Sequence, residues 1–131
     1  MIIGIGNDLC DIRRISKTLG RHGARFKNRI FTQAEQAYCD AGRVPAARYA
    51  KRWAAKEALA KALSTASTGD LNWQDVEVTR GPSGKPAITL HGAALKRLET
   101  MTPKGAKPAV HLSLSDEPPY AQAFVIIEAL S

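Results

Sequence analysis

The 131 residues of the chain suffice for one domain with its own hydrophobic core but not for two, so residues 1–131 are treated as a single domain. The chain has two cysteines, its start lacks the pattern of a signal peptide, and no apolar run approaches the roughly 20 residues of a membrane span. These features predict a cytoplasmic protein without disulfides. The formal net charge of +7 indicates an acidic partner, which composition leaves open among nucleic acid, an anionic membrane, a polyphosphate ligand and an acidic protein.

The chain is predicted to begin with a strand and an amphipathic helix. Residues 2–5 are apolar and largely β-branched, which predicts a short buried strand with Asp8 where that strand ends. Apolar residues then recur at helical spacing over residues 11–19, with basic residues largely on the other side. Two glycines that follow are expected to end this helix, which places Arg21 and Arg25 in a loop.

The middle of the chain predicts a short helix followed by a long one. Thr32 and Glu35 match the capping-box pattern, so a helix is expected to start there and to run to about Cys39. Residues 46–63 are rich in Ala, Leu, Lys and Arg and contain neither Gly nor Pro, which predicts a long helix. The small and polar residues 64–70 predict a loop.

The second half of the chain is predicted to be largely β-structure. Residues 76–79 and 87–90 read as two strands of a hairpin, because a Gly- and Pro-rich turn separates them. Residues 93–101 predict a helix, and residues 110–114 and 121–129 predict two further strands joined by a turn. The predicted fold class is α+β, with one long central helix and shorter helices packed on a mainly antiparallel sheet.

Asp8 and Glu57 are the acidic residues of greatest interest. Asp8 could be presented at a sheet edge, where sites are often built, or could cap the following helix, and the local sequence supports both. Glu57 lies four residues before Lys61, so the two share a helix face, which is also typical of a surface ion pair. Glu57 is, however, the one acid in a helix that carries several cations. Two acids among cations would suit a magnesium-bound pyrophosphate, because Mg²⁺ typically combines one or two carboxylates with phosphate oxygens.

Gly4 and Gly6 do not form a dinucleotide-binding fingerprint. That motif requires a third small residue, and Leu9 stands in its place. The two glycines are instead expected to permit close approach of backbone within a sheet.

Four blocks of sequence carry a family resemblance. They are Gly4-Ile5-Gly6-Asn7-Asp8 with Ile12 and Arg14, Arg52-Trp53-Ala54-Ala55-Lys56-Glu57-Ala58 with Lys61-Ala62, Gly84-Lys85-Pro86, and His111-Leu112-Ser113-Leu114-Ser115. In these blocks the chain resembles the holo-acyl-carrier-protein synthases, the small phosphopantetheinyl transferases, over essentially its whole length. The resemblance implies transfer of 4′-phosphopantetheine from coenzyme A to a serine of apo acyl carrier protein, with release of adenosine 3′,5′-bisphosphate, in support of fatty acid biosynthesis.

The resemblance also implies roles for individual residues. Asp8 and Glu57 match ligands of Mg²⁺, and Glu57 and Lys61 match catalytic positions. The residues assigned to coenzyme A are Arg52, Lys56, Lys85, His111 and Ser113. Those assigned to docking of the acidic carrier protein are Arg13, Arg14, Arg21 and Arg25. The resemblance implies a homotrimer with active sites at subunit interfaces. It implies neither nucleic acid nor a membrane as a partner.

The residues alone leave several alternatives open. The general base is either Glu57 or a water on the metal. Without the resemblance, His111 is better interpreted as a hydrogen-bonded strand residue. A basic nucleic-acid-binding module would account for the charge, although aromatic residues for stacking are few. A catalytically inert domain that binds coenzyme A would have no need for both Asp8 and Glu57.

Overall fold

In the computed structural model, residues 1–64 and 71–131 are described, and within them helices pack on two antiparallel sheets. The elements are β1 (Ile2–Asp11), α1 (Ile12–Ile30), α2 (Gln33–Asp40), α3 (Pro45–Ala62), a short 3₁₀ helix (Trp73–Asp75), β2 (Val76–Arg80), β3 (Pro86–Leu90), α4 (Gly92–Met101), β4 (Lys107–Glu117) and β5 (Tyr120–Leu130). The predicted α+β class is confirmed. Of the loop predicted over residues 64–70, all but Ser64 lies outside the described residues.

The larger sheet has the strand order β1-β5-β4, and β2 pairs with β3 in a separate hairpin. Side chains of β5 alternate: Ala123, Val125 and Ile127 are buried, whereas Gln122 and Phe124 are exposed. The buried face packs against α3. No helix formed by the described residues packs on the other face, which bears exposed apolar side chains. We call it the open sheet face, and it includes Ile5, Asn7, Leu9, His111, Ser113, Gln122, Phe124 and Ile126.

Helix α3 is the centre of the core and lies unusually close to β1. Ala54, Ala55 and Ala58 are fully buried, and their small side chains let the helix approach the sheet. A Cβ atom on Gly6 would overlap the carbonyl oxygen of Ala58, and one on Gly4 would overlap that of Ala62. The predicted close approach of backbone at these glycines is therefore confirmed, but the backbone that approaches is that of the helix and not of a neighbouring strand.

Strand β1 differs from the prediction in length and burial. It runs for ten residues, and Ile5 and Leu9 are 60% and 63% exposed, so the expectation of a short buried strand is wrong. The reason is that one face of the sheet is uncovered, which makes burial alternate along the strand. Asp8 lies within the strand, opposite Ala123, and not at its end. The N-cap of α1 is Asp11, whose side chain accepts a hydrogen bond from the backbone N–H of Arg13 at 2.9 Å.

Helix α1 is longer than the glycines in its sequence suggested. It continues to Ile30 through a kink at His22, where the backbone is not helical. Arg21 and Arg25 are therefore helical and do not lie in a loop. Glycine inside a helix costs only about 1 kcal/mol, and packing beyond it offsets that cost. Ile30 is buried, and the ring of Phe26 packs edge-on against Phe31 at 5.5 Å between centroids.

The remaining elements agree closely with their predictions. The capping box of α2 is present: Thr32 Oγ1 accepts from the backbone N–H of Glu35 at 3.2 Å, and Glu35 Oε1 accepts from that of Thr32 at 2.8 Å. The β2–β3 hairpin and α4 form as predicted, and the last two strands form a longer hairpin than expected. Among the described residues, no helix combines the length and the apolar character required to cross a membrane.

Candidate active site

Asp8 and Glu57 meet where the middle of β1 packs against α3. Asp8 follows the buried Gly6 by two residues, so its side chain lies on the helix-facing side of the strand. Only 18% of that side chain is exposed. The two acids share a small cleft of about 150 Å³. We call it the acid cleft; its lining residues are Asp8, Leu9, Cys10, Arg14, Trp53 and Glu57.

The acid cleft has the electrostatics of a cation site. The pKa of Glu57 is raised above its ordinary value, first by burial and then by the Asp8 carboxylate, while Lys61 acts in the opposite direction. Two partly buried carboxylates that repel each other gain stability from a cation between them, because the cation interacts favourably with both. The arrangement therefore favours binding of a metal ion.

The donors of the acid cleft suit Mg²⁺. Within residues 1–64 and 71–131, no group of three or more His, Cys, Asp and Glu side chains could hold a metal ion. Mg²⁺ does not require such a group, because it keeps several waters and uses one or two carboxylates together with phosphate oxygens of a substrate. The thiol of Cys10, whose pKa burial raises to about 11, is a soft ligand and does not suit Mg²⁺.

Lys61 is held at the edge of the acid cleft. Its Nζ donates hydrogen bonds to the carbonyl oxygen of Asn7 at 2.9 Å and to Oδ1 of Asp8 at 3.2 Å. The sequence placed Lys61 on the same helix face as Glu57, and the structure gives it Asp8 as its ion-pair partner. Because 56% of the Lys61 side chain is exposed, its ammonium group can reach a phosphate bound at the mouth of the cleft.

Lys56, which the resemblance assigned to coenzyme A, lies in the core, and that assignment is wrong. No part of its side chain is exposed. Its Nζ donates to Oε1 of Glu35 at 2.9 Å, to the carbonyl oxygen of Trp73 at 2.9 Å and to that of Val76. These three bonds use all the donors of an ammonium group, so none remains for a ligand. Lys56 instead joins α2 and α3 to the start of β2.

Arg52 and Lys85 lie outside the acid cleft. Arg52 precedes Glu57 by five residues, which places it about 140° away around the helix. Its guanidinium carbon lies 4.2 Å from the ring centroid of Tyr38. Lys85 is exposed in the turn between β2 and β3. In a single chain, neither residue lines the cleft that holds the two acids.

His111 and Ser113 are exposed on β4, on the open sheet face. His111 pairs with Ile126 of β5, and its Nε2 lies 3.0 Å from Oε1 of Glu128. Ser113 pairs with Phe124, which in turn pairs with Asn7 of β1. These two residues are therefore displayed on a surface and do not enter the acid cleft of their own chain.

The four arginines assigned to carrier docking all lie at or on α1 but have different surroundings. Arg14 lines the acid cleft, whereas Arg13 is paired with Asp11 at 2.8 Å. Arg21 is exposed, and Arg25 lines a larger cavity of about 600 Å³. We call this the aromatic cavity; its lining residues are Thr18, His22, Arg25, Phe26, Arg29, Ile30, Trp53 and Trp73.

Sequence reasoning missed Phe26, Arg29 and Trp73 as residues of this surface. Trp53 lines both the aromatic cavity and the acid cleft, so the two adjoin each other. The missed signal was the spacing of Arg25 and Arg29, which are four residues apart and share a face once the helix continues past its glycines.

The fold agrees with the comparison to known families. The model of the 4′-phosphopantetheinyl transferase superfamily matches residues 4–122, and the chain therefore belongs to that superfamily. Within it, the chain is similar to the holo-[acyl-carrier-protein] synthase of Methylobacterium radiotolerans, with 56% identity over 130 residues, 99% of this chain and 96% of the relative. The predicted family resemblance is confirmed.

Two solved structures show the same fold. The holo-[acyl-carrier-protein] synthase of Neisseria meningitidis is 37% identical, with a TM-score of 0.83 over 98% of this chain and 99% of that one. The Helicobacter pylori holo-[acyl-carrier-protein] synthase in complex with coenzyme A is 26% identical, with a TM-score of 0.79 over 95% of this chain and 99% of that one.

Proposed function

We propose that this protein transfers the 4′-phosphopantetheine group of coenzyme A to a serine of apo acyl carrier protein in the cytoplasm, releasing adenosine 3′,5′-bisphosphate and supporting fatty acid biosynthesis. The observation that carries the proposal is the full-length similarity to holo-[acyl-carrier-protein] synthases together with the convergence of Asp8, Glu57 and Lys61. Phosphoryl transfer asks a protein mainly to position the reactants and to neutralise charge, and this convergence offers both.

The chemistry assigned to each residue follows from its position. Asp8 and Glu57 are the residues that would hold Mg²⁺, which when bound neutralises and polarises a pyrophosphate. The serine oxygen of the carrier attacks the β-phosphorus of coenzyme A, and the bond from that phosphorus to the bridging oxygen breaks. Lys61 stabilises the negative charge left on the departing phosphate. Glu57 is a candidate acceptor for the serine proton, because its carboxylate lines the acid cleft where the transfer is proposed to occur.

The intact mass of an apo acyl carrier protein tests this function directly. Incubation with the protein, coenzyme A and Mg²⁺ is expected to add one phosphopantetheine, and a chelator is expected to abolish the gain. No gain with several carrier proteins would contradict the proposed reaction. A gain that survives the chelator would contradict the metal assignment alone.

The acidic carrier protein is proposed to dock along α1. Arg14 places positive charge beside the acid cleft, and Arg25 places it beside the aromatic cavity. This charge supports docking of an acidic partner whose serine reaches the acid cleft. The partly buried aromatic lining of the aromatic cavity gives such a partner a place for an apolar side chain.

Replacing Arg14 with Ala is expected to raise the KM for the carrier protein about tenfold and to change the KM for coenzyme A much less, because one charge contact with the carrier is lost. Arg25→Ala should act in the same direction, and it is the cleaner variant because Arg25 does not line the acid cleft. Lys96→Ala on α4 removes one exposed charge as a control. Equal changes in both KM values would argue against docking at α1.

The open sheet face supports assembly into a homotrimer. It exposes Ile5, Leu9 and Phe124, of which Phe124 is 40% exposed, and an apolar face of this kind is typical of a subunit interface. Lys61 lines a hollow together with Ile5 and Phe124, so a partner on this face would lie beside a catalytic residue. The same partner would bring its own exposed residues to that site, which supports active sites at subunit interfaces.

Phe124→Asp is expected to convert the trimer to a monomer, measured by sedimentation equilibrium, because it places a charge in an apolar interface. Leu95→Asp on α4 is the matched control, since Leu95 is 38% exposed and lies on a different surface. A Phe124→Asp protein with an unchanged mass in solution would remove the open sheet face as the interface.

A further inference from the structure

The ammonium group of Lys61 is held by two consecutive residues of β1. Its Nζ donates to the carbonyl oxygen of Asn7 at 2.9 Å and to Oδ1 of Asp8 at 3.2 Å. An ammonium group has three donors, so among the contacts of the described residues one donor remains for a phosphate. The direction of that donor depends on where the Asn7 carbonyl oxygen lies, because the lysine side chain itself is long, flexible and exposed.

Sheet pairing holds Asn7 from one side only. In the described sheet, β1 is an edge strand and pairs with β5 alone. Gly4 and Gly6 precede Asn7, and the pairing register shifts between Ile2 and Gly4. Glycine adds backbone freedom to a strand, and a strand that is paired on one side has fewer hydrogen bonds to restrain it. The position of Asn7 therefore depends on further contacts.

A side-chain hydrogen bond on the open sheet face supplies such a contact. Nε2 of Gln122 donates to Oδ1 of Asn7 at 3.1 Å. Asn7 pairs with Phe124 and Gln122 pairs with Leu9, so the bond runs diagonally from β5 to β1. Strand β5 lies between β1 and β4 and is paired on both sides, which fixes its position more firmly than that of β1. The bond therefore ties Asn7 to the better restrained strand.

We propose that Asn7 and Gln122 are positioning residues for Lys61: Gln122 holds Asn7 to β5, and the Asn7 carbonyl oxygen holds the Lys61 ammonium at the edge of the acid cleft. The proposal rests on the proposed transferase function. Neither Asn7 nor Gln122 lines the acid cleft, so we expect their effect on transfer to act through Lys61. Placement matters because a donor stabilises a developing negative charge best when it is already in position.

Gln122→Leu tests the proposal, because leucine has a similar volume but no donor, and Gln122 is exposed. The kcat for transfer to apo acyl carrier protein is expected to fall about fivefold, the effect of losing one hydrogen bond, while the KM for coenzyme A changes by less than about twofold. Asn7→Leu should act in the same direction. Gln33→Leu on α2 is the matched control, since it removes an exposed amide elsewhere and should change neither constant.

Two results of these kinetics would overturn the proposal. The first is an unchanged kcat in Gln122→Leu, or a KM for coenzyme A that changes as much as kcat. The second is a lower kcat accompanied by a different mass in solution by sedimentation equilibrium, because the loss would then come from the open sheet face as an interface. A lower kcat at unchanged mass and unchanged KM supports the proposal.

Chemical labelling of Lys61 separates its positioning from the reaction. Reductive methylation of the metal-free protein, followed at each lysine by peptide mass spectrometry, is expected to be at least twofold faster at Lys61 in Gln122→Leu than in the wild type, because the released side chain is more accessible. Lys96, exposed on α4, is the internal reference. An unchanged rate at Lys61 would overturn the positioning role and leave the transferase function standing. A faster rate at Lys61 in a protein that modifies no carrier protein would support the hold on Lys61 and contradict the transferase function alone.

Discussion

Replacing Glu57 with Gln is expected to lower kcat/KM for transfer about a thousandfold or more, while the protein remains folded. The amide keeps the volume of the side chain but removes one of the two carboxylates that are proposed to hold Mg²⁺, and with it the charge stabilisation proposed for the transferred phosphate. Asp8→Asn should act in the same way. The mass gain of apo acyl carrier protein measures both variants, and Glu99→Gln on α4 serves as the control for loss of one exposed acid.

Glu57→Gln is expected to lower activity without lowering the stability of the metal-free protein. Because the folded-state pKa of Glu57 is raised, the metal-free protein binds more protons at this site than the unfolded chain, and its stability falls as pH rises from the ordinary carboxyl pKa to the folded value. An amide does not titrate, so Glu57→Gln should remove this pH dependence in thermal unfolding without metal. Near-normal turnover, or a melting temperature well below that of the wild type, would contradict a role for Glu57 as a metal ligand poised against Asp8.

The sequence predicted the fold class and the two acids well because each had a local signature. The capping box at Thr32 and Glu35, the alanine-rich helix and the alternating strands depend on short-range physics that tertiary context left unchanged. Asp8 and Glu57 stood in specific sequence blocks, and the structure places them in one cleft. Their role as metal ligands stays a prediction.

The sequence did not show which face of each helix would be buried. Alanines lie on every side of α3, and alanine fits both a protein interior and a surface. The sequence of the helix therefore gave no hydrophobic pattern to show that Lys56 is buried while its neighbour Glu57 lines the acid cleft. The partner that keeps Lys56 in the core, Glu35, is 21 residues away in sequence. The surface of α1 was missed for a related reason, since two glycines concealed the continuation of the helix to Arg29.

Replacing Lys56 with Met is expected to lower the free energy of unfolding by about 3–5 kcal/mol, the effect of leaving a buried charge without its partner. Glu35 would remain fully buried, with the backbone N–H groups of Thr32 and Val78 as its remaining donors. The carbonyl oxygens of Trp73 and Val76 would lose the ammonium donor as well. Urea unfolding at neutral pH measures the loss, and Lys96→Met on the exposed side of α4 should change stability very little.

The double variant Glu35→Gln/Lys56→Met distinguishes an unpaired charge from simple loss of packing. The amide introduced by Glu35→Gln carries no charge, so the double variant should recover part of the stability that Lys56→Met loses, with a coupling energy of about 1–3 kcal/mol. Burial lowers the pKa of Lys56, and the Glu35 carboxylate acts against that shift. If the double variant were as unstable as the sum of the single variants, the pair would act through packing alone. Recovery would show that the pair of Lys56 and Glu35, which joins α3 to α2, stabilises the protein through its charges.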